Sequence, residues 1–211
     1  TSTSLTLETP VGGMVTSNAL RVTGHYADGV RRDLTSGALG TMYASSDPAT
    51  VTVGSNGAVQ AVDVGYAYIT VANGDAREYV QVTVNGTDAP PQPVDVTARF
   101  AISKTGLRRD PASGRYMQSV TFRNTTSEPQ FHPLLVIVSG LPEGVALENG
   151  RGKTRQVAPV GSRTISMKVP DASGRRPYIK PGESGTVVLE FSNRDGRPIN
   201  YEIKVFQGAE L

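Results

Sequence analysis

Two histidines, scattered carboxylates, paired arginines and paired tyrosines are the side chains with which this chain could do chemistry. Nucleophilic catalysis of the Ser-His-Asp kind needs a base within reach of an activated hydroxyl. His25 stands beside the end of a short alternating segment and His132 directly precedes Pro133, and no Gly-x-Ser-x-Gly elbow exists. Both histidines read as edge or loop residues. Glycoside hydrolysis needs two carboxyl groups held across a cleft. Glu143 and Glu148 flank the stretch 144–147, and Glu183 and Glu190 flank a turn and a strand. These are ordinary solvated positions. Cysteine is absent, which removes disulfides, thiolate chemistry and cysteine-ligated metals. Zinc would want more His or Cys than the chain holds. No catalytic residue, cofactor site or metal site is expected, and the chain does not read as an enzyme.

Calcium is the ion with some footing, because it takes oxygen ligands from loops. Asp110-Pro-Ala-Ser-Gly114 and Asp171-Ala-Ser-Gly174 are two similar loops, and Asn193-Arg-Asp-Gly196 is a third. Asp28, Asp33 and Asp47 could share a rim in the first half. None has the dense Asp spacing of a calcium loop, and an Asp in such a loop also caps its own turn. The arginine doublets Arg108-Arg109 and Arg175-Arg176 each border one of the Asp loops. Clustered with Arg115, Arg151 and Arg155, they would attract an anionic glycan, a cell-wall polymer or an acidic partner; dispersed, they only solubilise. Tyr66 and Tyr68 lie two apart and so share one face of a strand. Sugar-stacking platforms use such residues, most often with Trp, and the chain has no Trp.

The elements that must position these residues fill 211 residues, enough for two ordinary domains. The stretch Asn85-Gly-Thr-Asp-Ala-Pro-Pro-Gln-Pro93 holds three prolines, which lack the N–H a central strand needs. It reads as a short stiffened joint, with domains at 1–86 and 95–211 and a linker at 87–94. Charge changes at the same place. Residues 1–86 carry 4 basic and 7 acidic side chains (net −3), and the remainder carries 17 and 12 (net +5). Nucleic-acid binding would want a dense basic stripe with aromatic platforms, and here acids and glycines interrupt the basic residues. No segment approaches the roughly 20 apolar residues of a membrane helix. No signal peptide is visible, and a chain that starts at Thr1 reads as an excised fragment.

Period-two alternation runs through the first half: Leu5/Leu7, Leu20/Val22, Val51/Val53, Val59/Ala61, the 68–71 run and the Val80/Val82/Val84 row. Turn signals recur at Ala27-Asp-Gly29, Asp47-Pro48, Asn56-Gly57 and Asn73-Gly-Asp75. Many short strands at this spacing make a sandwich or barrel. Tyr26-Ala-Asp-Gly-Val-Arg-Arg-Asp-Leu-Thr35, Tyr43-Ala-Ser-Ser-Asp-Pro48, Val51-Thr-Val53, Asn56-Gly57 and Gly65-Tyr-Ala-Tyr-Ile-Thr-Val71 together resemble the bacterial Ig-like group 2 modules over residues 3–84. That family often has Trp before its Ser-Ser pair, where this chain has Tyr43. The resemblance implies an Ig-like sandwich, a bacterial surface, secreted or phage virion setting, and no catalytic residues.

The second half alternates at 95–102 and 116–122, and again at 164–169 and 201–205. Leu134-Leu-Val-Ile-Val138 is continuously apolar, as a central strand would be. With Leu141-Pro142, Ile179-Lys-Pro-Gly182, Val187-Val-Leu-Glu-Phe191 and Pro198-Ile-Asn-Tyr201, this half resembles the Ig-like or fibronectin type III-like sandwiches of bacterial secreted and surface proteins. The fold expected is all-β: two tandem Ig-like sandwiches joined by a short proline-containing linker. The function expected is a non-catalytic spacer, stalk, adhesion or accessory fragment of a larger bacterial protein outside the cell or on its surface. Its partners would be neighbouring domains of the same polypeptide. The alternative is a binding module for a glycan or an anionic cell-surface polymer, through Arg108, Arg109, Arg175, Arg176, Tyr66 and Tyr68. No nucleic acid and no membrane span are expected.

Overall fold

The computed structural model describes residues 4–8 as backbone, and residues 17–86, 92–155, 157–167 and 178–208 in full. The chain is all-β and divides into two compact units, Thr1–Gln92 and Pro93–Leu211.

The first unit runs β1 (Ser4–Glu8), β2 (Ser17–Ala19), β3 (Thr23–His25), β4 (Arg31–Asp33), β5 (Thr41–Ser45), β6 (Val51–Val53), β7 (Ala58–Ala61), β8 (Gly65–Asn73) and β9 (Ala76–Asn85). One sheet has the order β1-β9-β8-β5, a second the order β2-β7-β6, and β3 and β4 form a hairpin. Alternation decides which side chains go inside. Ala67, Ile69 and Val71 of β8 and Val80, Val82 and Val84 of β9 are buried, against Val51, Val59 and Ala61 of the second sheet. Tyr66, Tyr68 and Thr70 therefore lie on the opposite face. The Asn56-Gly57 turn needs its glycine, since φ is +78° there and a Cβ would stand 2.9 Å from the Leu20 carbonyl oxygen. β1 pairs with β9 in parallel, Ser4 opposite Gln81 and Glu8 opposite Asn85. A parallel neighbour cannot come from a tight hairpin, so local turn signals do not announce it.

Tyr43 stands two residues before the Ser45-Ser46 pair and packs against this core, its hydroxyl donating to the Thr35 carbonyl at 2.7 Å. Burial, then the negative charge of Asp33, raises its phenol pKa. The bond ties the β4–β5 connection to the sandwich. Tyr43→Phe is expected to cost about 1 kcal/mol by stranding that carbonyl, read as a lower denaturant midpoint at constant slope. An unchanged midpoint would remove the hydroxyl from the list of stabilising groups.

The second unit runs β10 (Val94–Asp95), β11 (Phe100–Lys104), β12 (Arg108–Arg109), β13 (Tyr116–Asn124), β14 (Gln130–Phe131), β15 (Leu134–Ser139), β16 (Val145–Leu147), β17 (Gly152–Lys153), β18 (Arg163–Ser166), β19 (Tyr178–Ile179), β20 (Ser184–Asn193) and β21 (Glu202–Gln207). One sheet has the order β10-β21-β15-β18-β17. The facing sheet has the order β11-β13-β20-β16, with β12 also on β13. Phe122, Leu134, Val136, Leu189, Phe191 and Val205 lie fully buried between them. β15 is central, as its unbroken apolar run implies. Leu134, Val136 and Val138 face the main core, while Ile137 packs on the other face with Phe206, Leu135 and Val157.

The single alternating strand expected over 95–102 is two strands in different sheets. Asp95 Oδ1 accepts from the Thr97 amide at 2.9 Å and the Thr97 hydroxyl at 2.6 Å. These i to i+2 bonds lead into a 3-10 turn at Thr97–Arg99, with Val96 and Phe100 buried and Ala98 exposed. A local side-chain bond outcompetes the period-two pattern.

Candidate functional site

The histidines and carboxylates weighed for catalysis sit on strands and turns of the two units. His25 is exposed on β3, in register with Arg31 of β4. His132 is half-buried, and burial lowers its pKa. Glu143 and Glu148 are exposed. Glu183 accepts the Lys180 amide at 3.0 Å, which closes the Pro181-Gly182 turn. Glu190 pairs with Arg115 at 3.0 Å. Among the described residues no three or more His, Asp or Glu side chains gather as metal ligands.

The Asp-bearing loops spend their oxygens on themselves. Asp110 Oδ1 accepts the Ala112 amide, and Oδ2 accepts the Ser113 amide and hydroxyl. These bonds, that from the Ser113 side chain first, hold its pKa below the usual carboxylate range. Asp28 takes the Val30 amide and Arg32, and Asp47 takes the Ala49 amide and the Thr50 hydroxyl. Asp33 takes the Thr35 amide at 2.9 Å and lies 3.4 Å from Arg21. Asn193 bonds both ways to the Arg197 backbone. The 171–174 loop and the doublet Arg175-Arg176 lie outside the described residues.

Tyr66 and Tyr68 share the outer face of β8, half-buried, in register with Thr83 and Gln81 of β9. Tyr68 meets Tyr79 edge-to-face, with ring centroids 5.8 Å apart. On the other side of this unit, Leu20, Val22, Leu34, Val71 and Val80 line an apolar cleft of about 510 Å³ with Arg21, Arg77 and Glu78 at its rim.

Arg108 and Arg109 are both exposed on β12, in register with Met117 and Tyr116 of β13. They border a groove of about 550 Å³ on the outer face of the second unit, whose floor includes Met117 and Val188. Arg109 Nε donates to the Gly114 carbonyl at 3.4 Å. Arg115 is taken up by Glu190, and Arg151 and Arg155 are exposed elsewhere on the unit.

The groove wall holds an arrangement that the residue spacing does not reveal. Between β11 and β12 the chain bulges at 105–107. The Thr105 amide donates to the Ser119 carbonyl, and the Ser119 amide to Thr105 Oγ1, at 2.9 and 3.0 Å. Gln118 Nε2 donates to the Thr105 carbonyl, and the Tyr201 hydroxyl to Gln118 Oε1. Burial pushes the Tyr201 phenol up to about 12, so it stays a donor. Lys104 Nζ stands 3.9 Å over the Tyr201 ring, and burial lowers its pKa. Tyr201 is 83 residues from Gln118, so no short motif could have shown the link.

Two facing sheets in each unit, antiparallel except for β1 on β9, define the class as Ig-like β-sandwich proteins. Within it, residues 41–86, from β5 to just past β9, match the family model of the bacterial Ig-like domain. No curated protein matches the chain. A domain of that family is typically a non-catalytic structural or surface module. Among the described residues no helix is long and apolar enough to cross a membrane.

Proposed function

We propose that this chain is a spacer, stalk or accessory segment of a larger bacterial protein, carried outside the cell or on its surface. The domain limits 1–86 and 95–211, with 87–94 as the joint, belong to this proposal, as do neighbouring domains of the same polypeptide as its partners. The observation that carries it is the match of residues 41–86 to the bacterial Ig-like domain. Separate hydrophobic clusters in the two units support it, because each unit then resists extension by its own packing. The reading requires no cofactor and assigns no catalytic residue.

Pulling the chain by its ends tests it. Two distinct unfolding steps are expected, releasing about 300 and 400 Å of chain at ~3.5 Å per residue. A single step, or extension without resistance, would overturn the spacer reading. Antibody labelling of intact producing cells tests the location, and label reached only after lysis would overturn it. The groove beside Arg108 and Arg109 favours a second reading, a binding module for an anionic surface polymer.

A further inference from the structure

We infer that two copies of this chain pair along the open edge of β5, antiparallel about a twofold axis at Ala44, so that two sheets of the order β1-β9-β8-β5 become one. The inference goes beyond the spacer and binding readings and depends on neither.

Open backbone is the first ground. β5 ends its sheet and pairs on one side only, with β8. The Ser46 amide donates to the Tyr68 carbonyl at 2.9 Å. Backbone direction alternates along an antiparallel strand, so Met42 and Ala44, like Ser46, turn theirs to β8. Tyr43 and Ser45 turn their N–H and C=O groups to the other side, where no described strand meets them. Thr41 is closed off at 3% exposure, so the usable stretch begins at Met42.

The make-up of this edge is the second ground. Sheet edges are normally blunted by a charge, a proline or brevity. The other edge strands among the described residues follow that rule. β1 ends on Glu8 and β11 on Lys104, β12 is Arg108-Arg109, and β2, β6 and β16 have three residues each. β5 is Thr-Met-Tyr-Ala-Ser, five residues with no charge and no proline. The nearest carboxylate, Asp47, is held by the Ala49 amide and the Thr50 hydroxyl.

Self-complementarity is the third, and it selects a second copy as the occupant. With the axis at Ala44, Tyr43 stands opposite Ser45 of the other copy and Ser45 opposite its Tyr43. These are the residues with outward backbone, so each pair can exchange both hydrogen bonds. Ala44 then meets Ala44 in a pair without hydrogen bonds, where Cα atoms approach to about 4.5 Å and a small side chain is wanted. Met42, 66% exposed on the same face, reaches diagonally over that alanine pair from either side. The match brings no charge against a like charge. So short a seam covers less than the roughly 1,000 Å² of a stable interface, and a dissociation constant of about 0.1–1 mM is expected. Pairing of that strength acts where copies are held side by side.

The test is sedimentation velocity of the full chain from about 0.01 to 2 mM, a range that brackets this constant. A reversible monomer–dimer shift is expected. Ala44→Arg puts two guanidinium groups face to face at the axis and should weaken it at least about tenfold. Ala44 is exposed, so the thermal melt of this variant should match the parent and lost pairing is not lost folding. The chain has no cysteine, which makes single cysteines clean probes of register. Ala44→Cys places two thiols within disulfide reach, whereas Met42→Cys leaves its pair about 14 Å apart, four residues along the strand. Oxidative dimerisation of Ala44→Cys should therefore be about tenfold the faster, although Met42 is the more exposed position. A monomer throughout, undiminished association of Ala44→Arg, or equally fast cross-linking of the two cysteine variants would each overturn the inference. The two-step extension would stand in any of these cases.

Discussion

Phe122→Ala should lower the melting temperature of the second unit by about 10–25 °C and leave that of the first unit in place. Phe122 is fully buried in β13, between β11 and β20, and its ring meets Phe100 edge-to-face with centroids 6.3 Å apart. Truncation removes the transfer free energy of the ring and opens a cavity in a close-packed core, at about 3–5 kcal/mol. An aromatic pair adds about 0.5–1.5 kcal/mol that is lost with it. A domain has roughly 5–15 kcal/mol in all, so the loss is a large fraction of the total. One kcal/mol moves the midpoint by several degrees in a domain of this size. Phe122 belongs to the cluster of the second unit, and the first unit has its own around Ile69 and Val82. Scanning calorimetry of the full chain should therefore show one transition displaced and the other unmoved. Two transitions that shift together would mean the clusters are not energetically separate. A shift of only a degree or two would mean the site collapses around the cavity.

What the residues announce and what they conceal follows from how local each feature is. The β8 and β9 strands are plain in the alternation of 65–84, because each side chain's face is fixed by its own parity. β15 is plain for the opposite reason, since a strand buried on both faces loses alternation and becomes a continuous apolar run. The 95–102 segment misleads. Its parity is right for a strand, but the Asp95 side chain bonds the Thr97 amide and hydroxyl, and the chain turns there. The candidate site is half legible. The Arg108-Arg109 doublet and the turn at Asp110 are read directly, whereas the floor joins Met117 to Val188 across 71 positions. The tyrosine pair is legible as a shared face, but the contact with Tyr79 depends on the register of β8 on β9.

Asn124→Asp changes a single atom type and should still cost about 2–4 kcal/mol at neutral pH. Asn124 is 1% exposed at the end of β13. Its Nδ2 donates to the Glu128 carbonyl at 2.7 Å and the Ile179 carbonyl at 3.1 Å. Its Oδ1 accepts from the Thr126 amide at 3.0 Å and hydroxyl at 2.8 Å. The side chain thus joins the 124–130 loop to β19, using donors and acceptors in an order only an amide supplies. A carboxylate keeps the two bonds from Thr126 and turns its second oxygen, now charged, against two carbonyl oxygens. The Ile179 carbonyl loses this donor, whereas the Glu128 carbonyl keeps those of Thr126 Oγ1 at 3.0 Å and Gln130 Nε2 at 3.3 Å. With the buried charge facing both carbonyls, the net cost after the stronger bonds from Thr126 is about 2–4 kcal/mol. Burial and the facing carbonyls raise the folded-state pKa of the new carboxyl above its unfolded value near 4. The folded state then binds more protons than the unfolded one, so the variant gains stability relative to wild type as pH falls towards the unfolded value. In acid the protonated group can donate to one of the two carbonyls again. Asp33 and Asp110, whose pKa values are lowered, act alike in both proteins and cancel in the difference. Urea unfolding of variant and wild type across pH 4 to 8 measures that difference. It should be largest at the alkaline end, and a gap that is constant, or that widens in acid, would show that the amide's hydrogen-bond order is not what holds this loop.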